Sequence, residues 1–280
     1  MSARPVMRQG LVLASVIGLA VIACVASLDW IRFCFQKPAL AHIDSNIPRQ
    51  TVQALDKIPH DMDAFTQGLA IRDNYFWEST GLHGMSRLRR LDRHSGLVQA
   101  EYRYGPDIFG EGLALVADRV FVLSWTSGVG FIHDTKNLQP LRRFTIPSPA
   151  WGLAYDGNRL ILSDGSPILR FLDARTGQEV GRQSVNAGLR PVSNLNELEI
   201  VNGEIWANVW QTDSIARIRP ADGQVVGWID VTGCACRPWL RRASDTLNGI
   251  AYDAHTEALY LTGKRWPFIL QAKLVTKTPP

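Results

Sequence analysis

The sequence is poor in the residues that build metal and thiol chemistry. Of its 280 residues only four are cysteine and six are histidine. No histidine has a second one at i+2, i+3 or i+4, so the spacing that brings two imidazoles to one metal ion is missing and a metal hydrolase loses its usual support. Cys24 and Cys34 fall near the amino terminus, and Cys234 and Cys236 stand in Gly233-Cys234-Ala235-Cys236, a lone Cys-x-Cys that is not by itself a zinc framework. In an oxidising compartment that pair forms a strained local bridge or stays as free thiols, and otherwise it is an irregular loop without chemistry. Charge of one sign is also lacking. The net charge is +4 and the arginines are scattered rather than massed, which excludes a nucleic-acid footprint. Segments with helical periodicity over a useful length are few. The apolar content of 46% is ordinary, enough for one large packed domain or two smaller ones and against global disorder.

What is present begins with one apolar run. Arg4 and Arg8 precede Leu11 to Leu28, a stretch without a charge. At ~1.5 Å per residue it spans roughly 27 Å, close to one hydrocarbon thickness. Positive charge ahead of the run keeps the start cytoplasmic and sends the rest out. Three readings stay open: an uncleaved anchor helix, a lipoprotein carrying lipid on Cys24 of Val21-Ile22-Ala23-Cys24, and a cleaved signal peptide, for which Pro38-Ala39-Leu40-Ala41 has a cleavable look well past the run. Each divides the chain into a leader or membrane-anchor segment (1–41) and an exported domain (42–280) that works in the periplasm or another extracytoplasmic space.

The exported part is organised around a repeated frame. Phe109-Gly110-Glu111-Gly112-Leu113-Ala114 recurs as Phe65-Thr66-Gln67-Gly68-Leu69-Ala70, Pro149-Ala150-Trp151-Gly152-Leu153-Ala154, Asn194-Leu195-Asn196-Glu197-Leu198-Glu199 and Thr246-Leu247-Asn248-Gly249-Ile250-Ala251. The fourth position is glycine in four of the five, and the fifth is always apolar. Measured at the fourth position, the intervals are 44, 40, 45 and 52 residues, the size expected of propeller blades or solenoid repeats. After each frame come a short apolar strand, a turn such as Asp73-Asn74, Asp156-Gly157-Asn158 or Asn202-Gly203, and further short strands rich in Val, Ile, Leu and aromatics. That grammar describes hairpins in a meander. Four strands per repeat and five repeats predict an all-β, five-bladed β-propeller. A solenoid would need capping segments, and none is visible. The last repeat runs out after its third strand near Leu274, while an extended stretch from Ile47 to Leu55 precedes the first frame. This N-terminal strand is expected to close the last blade.

In such a ring the first strand of each blade lines the centre, so the third frame positions converge: Gln67, Glu111, Trp151, Asn196 and Asn248. The second strands end near the same mouth with Glu78-Ser79-Thr80, Trp125, Asp164, Trp210 and Lys264. The expected cluster is Glu111, Gln67, Asn196, Asn248 and Lys264, walled by Phe65, Phe109, Trp125, Trp151 and Trp210, a small-molecule pocket with few polar groups. Against this, tryptophans pack between blades as plain core, and Asn196 and Asn248 serve as turn amides. Glu111 resists that treatment, because a glycine-flanked acid on a central strand has no partner in sequence. An aromatic cage raises its pKa and a nearby Lys264 lowers it, and sequence leaves the balance open.

These motifs, together with Glu78-Ser79-Thr80-Gly81-Leu82, Trp206-Ala207-Asn208-Val209-Trp210-Gln211-Thr212-Asp213, Thr262-Gly263-Lys264 and Trp266-Pro267, make the chain resemble the plant and bacterial type of glutaminyl-peptide cyclotransferase over about residues 46–274. The resemblance implies a five-bladed propeller without a catalytic metal or other cofactor, and substrates that are peptides or proteins with an N-terminal glutamine. It implies a monomeric catalytic domain in which Glu111 is the general acid and base, with Phe65, Gln67, Phe109, Trp125, Trp151, Asn196, Trp210 and Lys264 lining the pocket. Thr232 to Ala243 has no match in the family pattern. Two other classes compete: a non-catalytic exported scaffold for peptide or protein binding, and a propeller hydrolase with a channel metal. The latter would need several carboxylates, where the third frame positions offer only Glu111.

Overall fold

The computed structural model describes residues 46–147, 149–233 and 245–276, all within the unit 42–280 into which the chain divides beyond Ala41. The apolar leader and the Cys234–Cys236 pair lie outside the described residues. Among the described residues every regular element is a strand, and no helix is long and apolar enough to cross a membrane.

Strand β1 (Arg49–Pro59) comes first. A meander follows of β2 (Thr66–Arg72), β3 (Tyr75–Thr80), β4 (Arg87–Asp92) and β5 (Val98–Arg103). The second is β6 (Gly110–Val116), β7 (Arg119–Ser124), β8 (Val129–Asp134) and β9 (Pro140–Thr145), and the third β10 (Leu153–Tyr155), β11 (Arg159–Leu162), β12 (Ile168–Asp173) and β13 (Glu179–Ser184). A two-stranded hairpin, β14 (Asn186–Ala187) with β15 (Arg190–Pro191), interrupts the repeat and left no mark in the sequence pattern. Then come β16 (Leu195–Val201), β17 (Glu204–Val209), β18 (Ser214–Ile218) and β19 (Val225–Asp230), and finally β20 (Leu247–Asp253), β21 (Ala258–Gly263) and β22 (Phe268–Thr276). These last seven join β1 in one eight-stranded sheet, because β1 runs antiparallel to β22 and, over Arg49–Thr51, parallel to β19. The N-terminal strand thus pairs with the last strand of the chain. It runs to Pro59 rather than stopping at Leu55: after a bulge between Ala54 and Asp56, pairing with β22 resumes and carries the exposed Asp56 and Lys57 along.

The first hairpin turns explain their residues. Asp73, Ala117 and Asn202 take φ of 55°, 48° and 50°, and Gly203 follows Asn202 at 79°. This left-handed region suits Asn, Asp and Gly best. The five first strands form a ring, β2 packing on β6, β6 on β10, β10 on β16, β16 on β20 and β20 on β2. The frame glycines make this approach possible. A Cβ at Gly68 would lie 2.6 Å from the Leu113 nitrogen, at Gly112 2.5 Å from the Leu153 nitrogen, and at Gly152 2.0 Å from the Asn196 carbonyl oxygen. Apolar layers fill the space between neighbouring sheets. Trp77 and Leu88 meet Val122 and Phe131, and on the other face of the same sheet Leu69 and Phe76 meet Tyr260 and Ile269. The architecture is all-β and propeller-like.

Candidate active site

One local irregularity recurs in four of the five inner strands. Pairing with the second strand slips between Thr66 and Gly68, Gly110 and Leu113, Leu195 and Leu198, and Leu247 and Ile250. The third frame position falls inside each slip, so Gln67, Glu111, Asn196 and Asn248 sit in bulges. A bulge releases a residue from the ladder and re-aims its side chain. Backbone bonds then fix the second-strand ends beside the frames. The N–H of Gly81 donates to the Phe65 carbonyl, that of Trp125 to Phe109, that of Trp210 to Asn194 and that of Lys264 to Thr246, at 2.8–3.0 Å. Trp125, Trp210 and Lys264 therefore occupy equivalent places, and the first sheet has glycine there. A Cβ on Gly81 would strike the Phe109 ring at 2.3 Å.

The polar centre is linked. Gln67 Nε2 donates to Glu111 Oε1 at 3.0 Å, and Asn248 Nδ2 donates to Gln67 Oε1 at 3.0 Å. Ser79 Oγ, from β3, donates to the Glu111 backbone carbonyl, and Ser163 Oγ to that of Asn196 at 2.6 Å. Asn196 Oδ1 is buried and has no hydrogen-bond partner among the described residues. Burial pushes the Glu111 carboxyl well above its ordinary value, and Lys264 only partly pulls it back. Burial likewise lowers the Lys264 ammonium to about 8 against the pull of Glu111. Here desolvation outweighs attraction, the balance that sequence left open.

The walls are aromatic. Phe65 meets Phe109 edge to face at 6.2 Å, Phe109 meets Trp125 at 5.5 Å, and Trp151 meets Trp210 at 5.4 Å. Lys264 Nζ stands 4.8 Å from the Phe65 ring centre, and Arg265 lies at the same distance. Phe65, Phe109, Trp151 and Trp210 are half-buried, whereas Trp125 is 40% exposed, at the rim. His83 packs its edge on Phe109 from outside.

Two expected mouth residues serve elsewhere. Asp164 pairs with Arg170 at 3.1 Å. Glu78 is fully buried and accepts from His60 Nε2 at 2.9 Å and Thr66 Oγ1 at 2.7 Å, with Arg89 at 3.8 Å. Glu197 was not expected to matter. It stands where the other frames have glycine, and its carboxylate accepts the backbone N–H of Leu69 at 3.4 Å and of Ile250 at 2.9 Å, bridging across the ring. The break in the glycine pattern was its visible signal. Among the described residues no three His, Cys, Asp or Glu side chains gather closely enough to hold a metal ion.

Residues 26–274 match the glutamine cyclotransferase family. The chain is 42% identical over 228 residues to a glutaminyl-peptide cyclotransferase of Arabidopsis thaliana, covering 80% of this chain and 71% of that protein. It also superposes on the crystal structure of Myxococcus xanthus glutaminyl cyclase with a TM-score of 0.79 at 34% identity, covering 83% of this chain and all of that one. The chain belongs to the glutamine cyclotransferase family.

Proposed function

We propose that this chain converts the N-terminal glutamine of peptides and proteins to pyroglutamate with release of ammonia, and that Glu111 moves the proton. The observation that carries the assignment of Glu111 is a fully buried carboxyl, aimed inward by a bulge, whose pKa burial drives well above the ordinary carboxylate range. A carboxyl that titrates nearer neutrality can both accept and donate a proton during turnover.

In the reaction the α-amine nitrogen attacks Cδ of the γ-carboxamide. The new N–Cδ bond closes the lactam and the bond from Cδ to the amide nitrogen breaks. As a carboxylate, Glu111 takes a proton from the attacking nitrogen. As the acid it returns one to the departing nitrogen, so ammonia leaves and Glu111 regains its starting state. The free α-amine titrates near ~7.7–8, so it is mostly protonated at neutral pH and the attacking neutral form is the minor one there. The buried Oδ1 of Asn196 is an acceptor for an N–H of that amine. The Lys264 ammonium, held at about 8, donates to the carboxamide oxygen as negative charge develops. The rings of Phe65, Phe109, Trp151 and Trp210 keep the glutamine side chain folded so that its two ends meet, and they keep bulk water off Glu111.

The proposal includes the wider setting. The five four-stranded units are the blades of one propeller, with β1 as the outer strand of the last. The catalytic unit in this proposal is a single chain. The charge-free run from Leu11 to Leu28 behind Arg4 and Arg8 supports action outside the cytoplasm, with residues 1–41 as anchor or leader. A non-catalytic peptide-binding scaffold would leave the buried, unbalanced Glu111 without a purpose. The test is ammonia and pyroglutamate release from Gln-Ala by the purified protein, with and without chelator. Release that survives the chelator is expected, and none from a folded protein would favour the scaffold.

A further inference from the structure

We propose that Asn248 is a positioning residue for Glu111, acting through Gln67, and that this relay fixes which carboxyl oxygen exchanges the proton. The inference rests on the cyclising reaction proposed above.

The relay has one possible direction. Asn248 is completely buried in the bulge of β20, and its Nδ2 lies 3.0 Å from the Thr66 backbone carbonyl oxygen and 3.0 Å from Gln67 Oε1. A backbone carbonyl can only accept, so the Asn248 atom facing it is the NH2 group. The same NH2 then donates to Gln67, which must present its oxygen on that side. The opposite end of the Gln67 amide, 3.0 Å from Glu111 Oε1, is consequently an N–H donor. A main-chain carbonyl thus sets the polarity of two side-chain amides, and Thr66 is itself tethered through its hydroxyl to Glu78. Glu111 Oε1 is engaged as an acceptor, so the proton of the neutral carboxyl resides on Oε2, where the substrate nitrogens meet it. Without Asn248, Gln67 is free to turn its oxygen toward Glu111, and two facing acceptors disfavour the carboxylate.

Few other charges act on this carboxyl. Lys264, at the end of β21, is the group whose field reaches it. Glu78 on β3 is taken up by His60, Thr66 and Arg89, and Glu197 on β16 by the backbone of Leu69 and Ile250. A shift in the Glu111 titration on changing the neutral Asn248 therefore reports the relay.

The experiment uses the full chain as Asn248→Ala, Gln67→Ala and the double variant. Two readouts are taken: the pH profile of kcat/KM on Gln-Ala, and the titration of the Glu111 carboxyl by 13C NMR, assigned with Glu111→Gln. Each single variant should move the Glu111 titration upward by about one unit, since a donor to the charged form is lost. Each should also lower kcat/KM by about tenfold or more at neutral pH. The double variant should show no further upward shift than Gln67→Ala alone. An unmoved titration in Asn248→Ala, with only the melting temperature changed, would overturn the proposal, as would shifts that add in the double variant. If Asn248→Ala does not fold, Asn248→Ser, too short to span to Gln67, is read by the same criteria. The NMR titration needs no turnover, so failure of the cyclising reading and failure of the relay are told apart.

Discussion

Glu78 and Glu111 lie on neighbouring sheets, both are buried, and each has a basic side chain within range. Their environments act in opposite directions. Burial opposes the charge on Glu78, yet the His60 charge and hydrogen bond, Arg89 and the Thr66 hydroxyl together hold its carboxyl below the ordinary value. Burial also opposes charge on His60, and Glu78 with the Trp266 carbonyl carries the imidazole above its ordinary value all the same. Glu111 has one amide N–H and a lysine acting at a distance, so burial wins and the carboxyl rises. The same residue type is a structural ion where hydrogen bonds surround it and, in the proposed reaction, a proton carrier where they are withheld.

Glu111→Gln should give the largest effect, a loss of turnover of roughly 10²–10⁴-fold on Gln-Ala at an unchanged or higher melting temperature, since a costly buried group is neutralised. Lys264→Met comes next, lowering kcat by about 10²-fold. The unaltered protein is expected to lose rate as pH rises through about 8, where the Lys264 ammonium is lost, and the variant should lack that fall. A limb at that pH that persists in the variant would assign it to another group.

Glu78→Gln should reverse the pattern. Breaking the His60–Glu78 pair, whose side chains are both fully buried, should cost about 3–5 kcal/mol in urea unfolding while kcat per folded molecule changes little. The pH dependence follows from the two shifts. The His60 contribution is complete below its ordinary value of 6.5 and is lost as pH rises through its higher folded value. The Glu78 contribution is complete above its ordinary 4.5 and is lost as pH falls through its lower folded value. Both losses should be absent from the variant.

Glu199 gives the smallest effect. It shares a cavity of about 150 Å³ with Arg72, Tyr155 and Tyr252, and burial raises its carboxyl to about 8 from an ordinary 4.5. Its contribution is complete below 4.5 and is lost as pH rises toward about 8, so Glu199→Gln should flatten the fall in stability between about pH 4.5 and pH 8 without changing kcat. An equal fall in both proteins would remove Glu199 from the account.

Much of this was legible in the sequence because a repeat exposes its exceptions. The recurring glycine located the inner strands, an Asp-Gly and an Asn-Gly step marked two of the five first hairpins, and the divergent third position picked out Gln67, Glu111, Asn196 and Asn248. The bulges were not legible, since register belongs to two strands at once and each frame shows only one. Nor was the loss of Glu78 to a second network, because His60 lies outside every frame. Glu197 was visible as a missing glycine, but its partners Leu69 and Ile250 lie in two other repeats and only ring closure brings them together.

The most direct measurement is turnover of Gln-Ala by Glu111→Gln beside Glu78→Gln, each scaled to its folded fraction at the assay temperature. The account predicts that the first is folded and nearly inactive while the second is less stable and active. Normal turnover by a folded Glu111→Gln protein would contradict it.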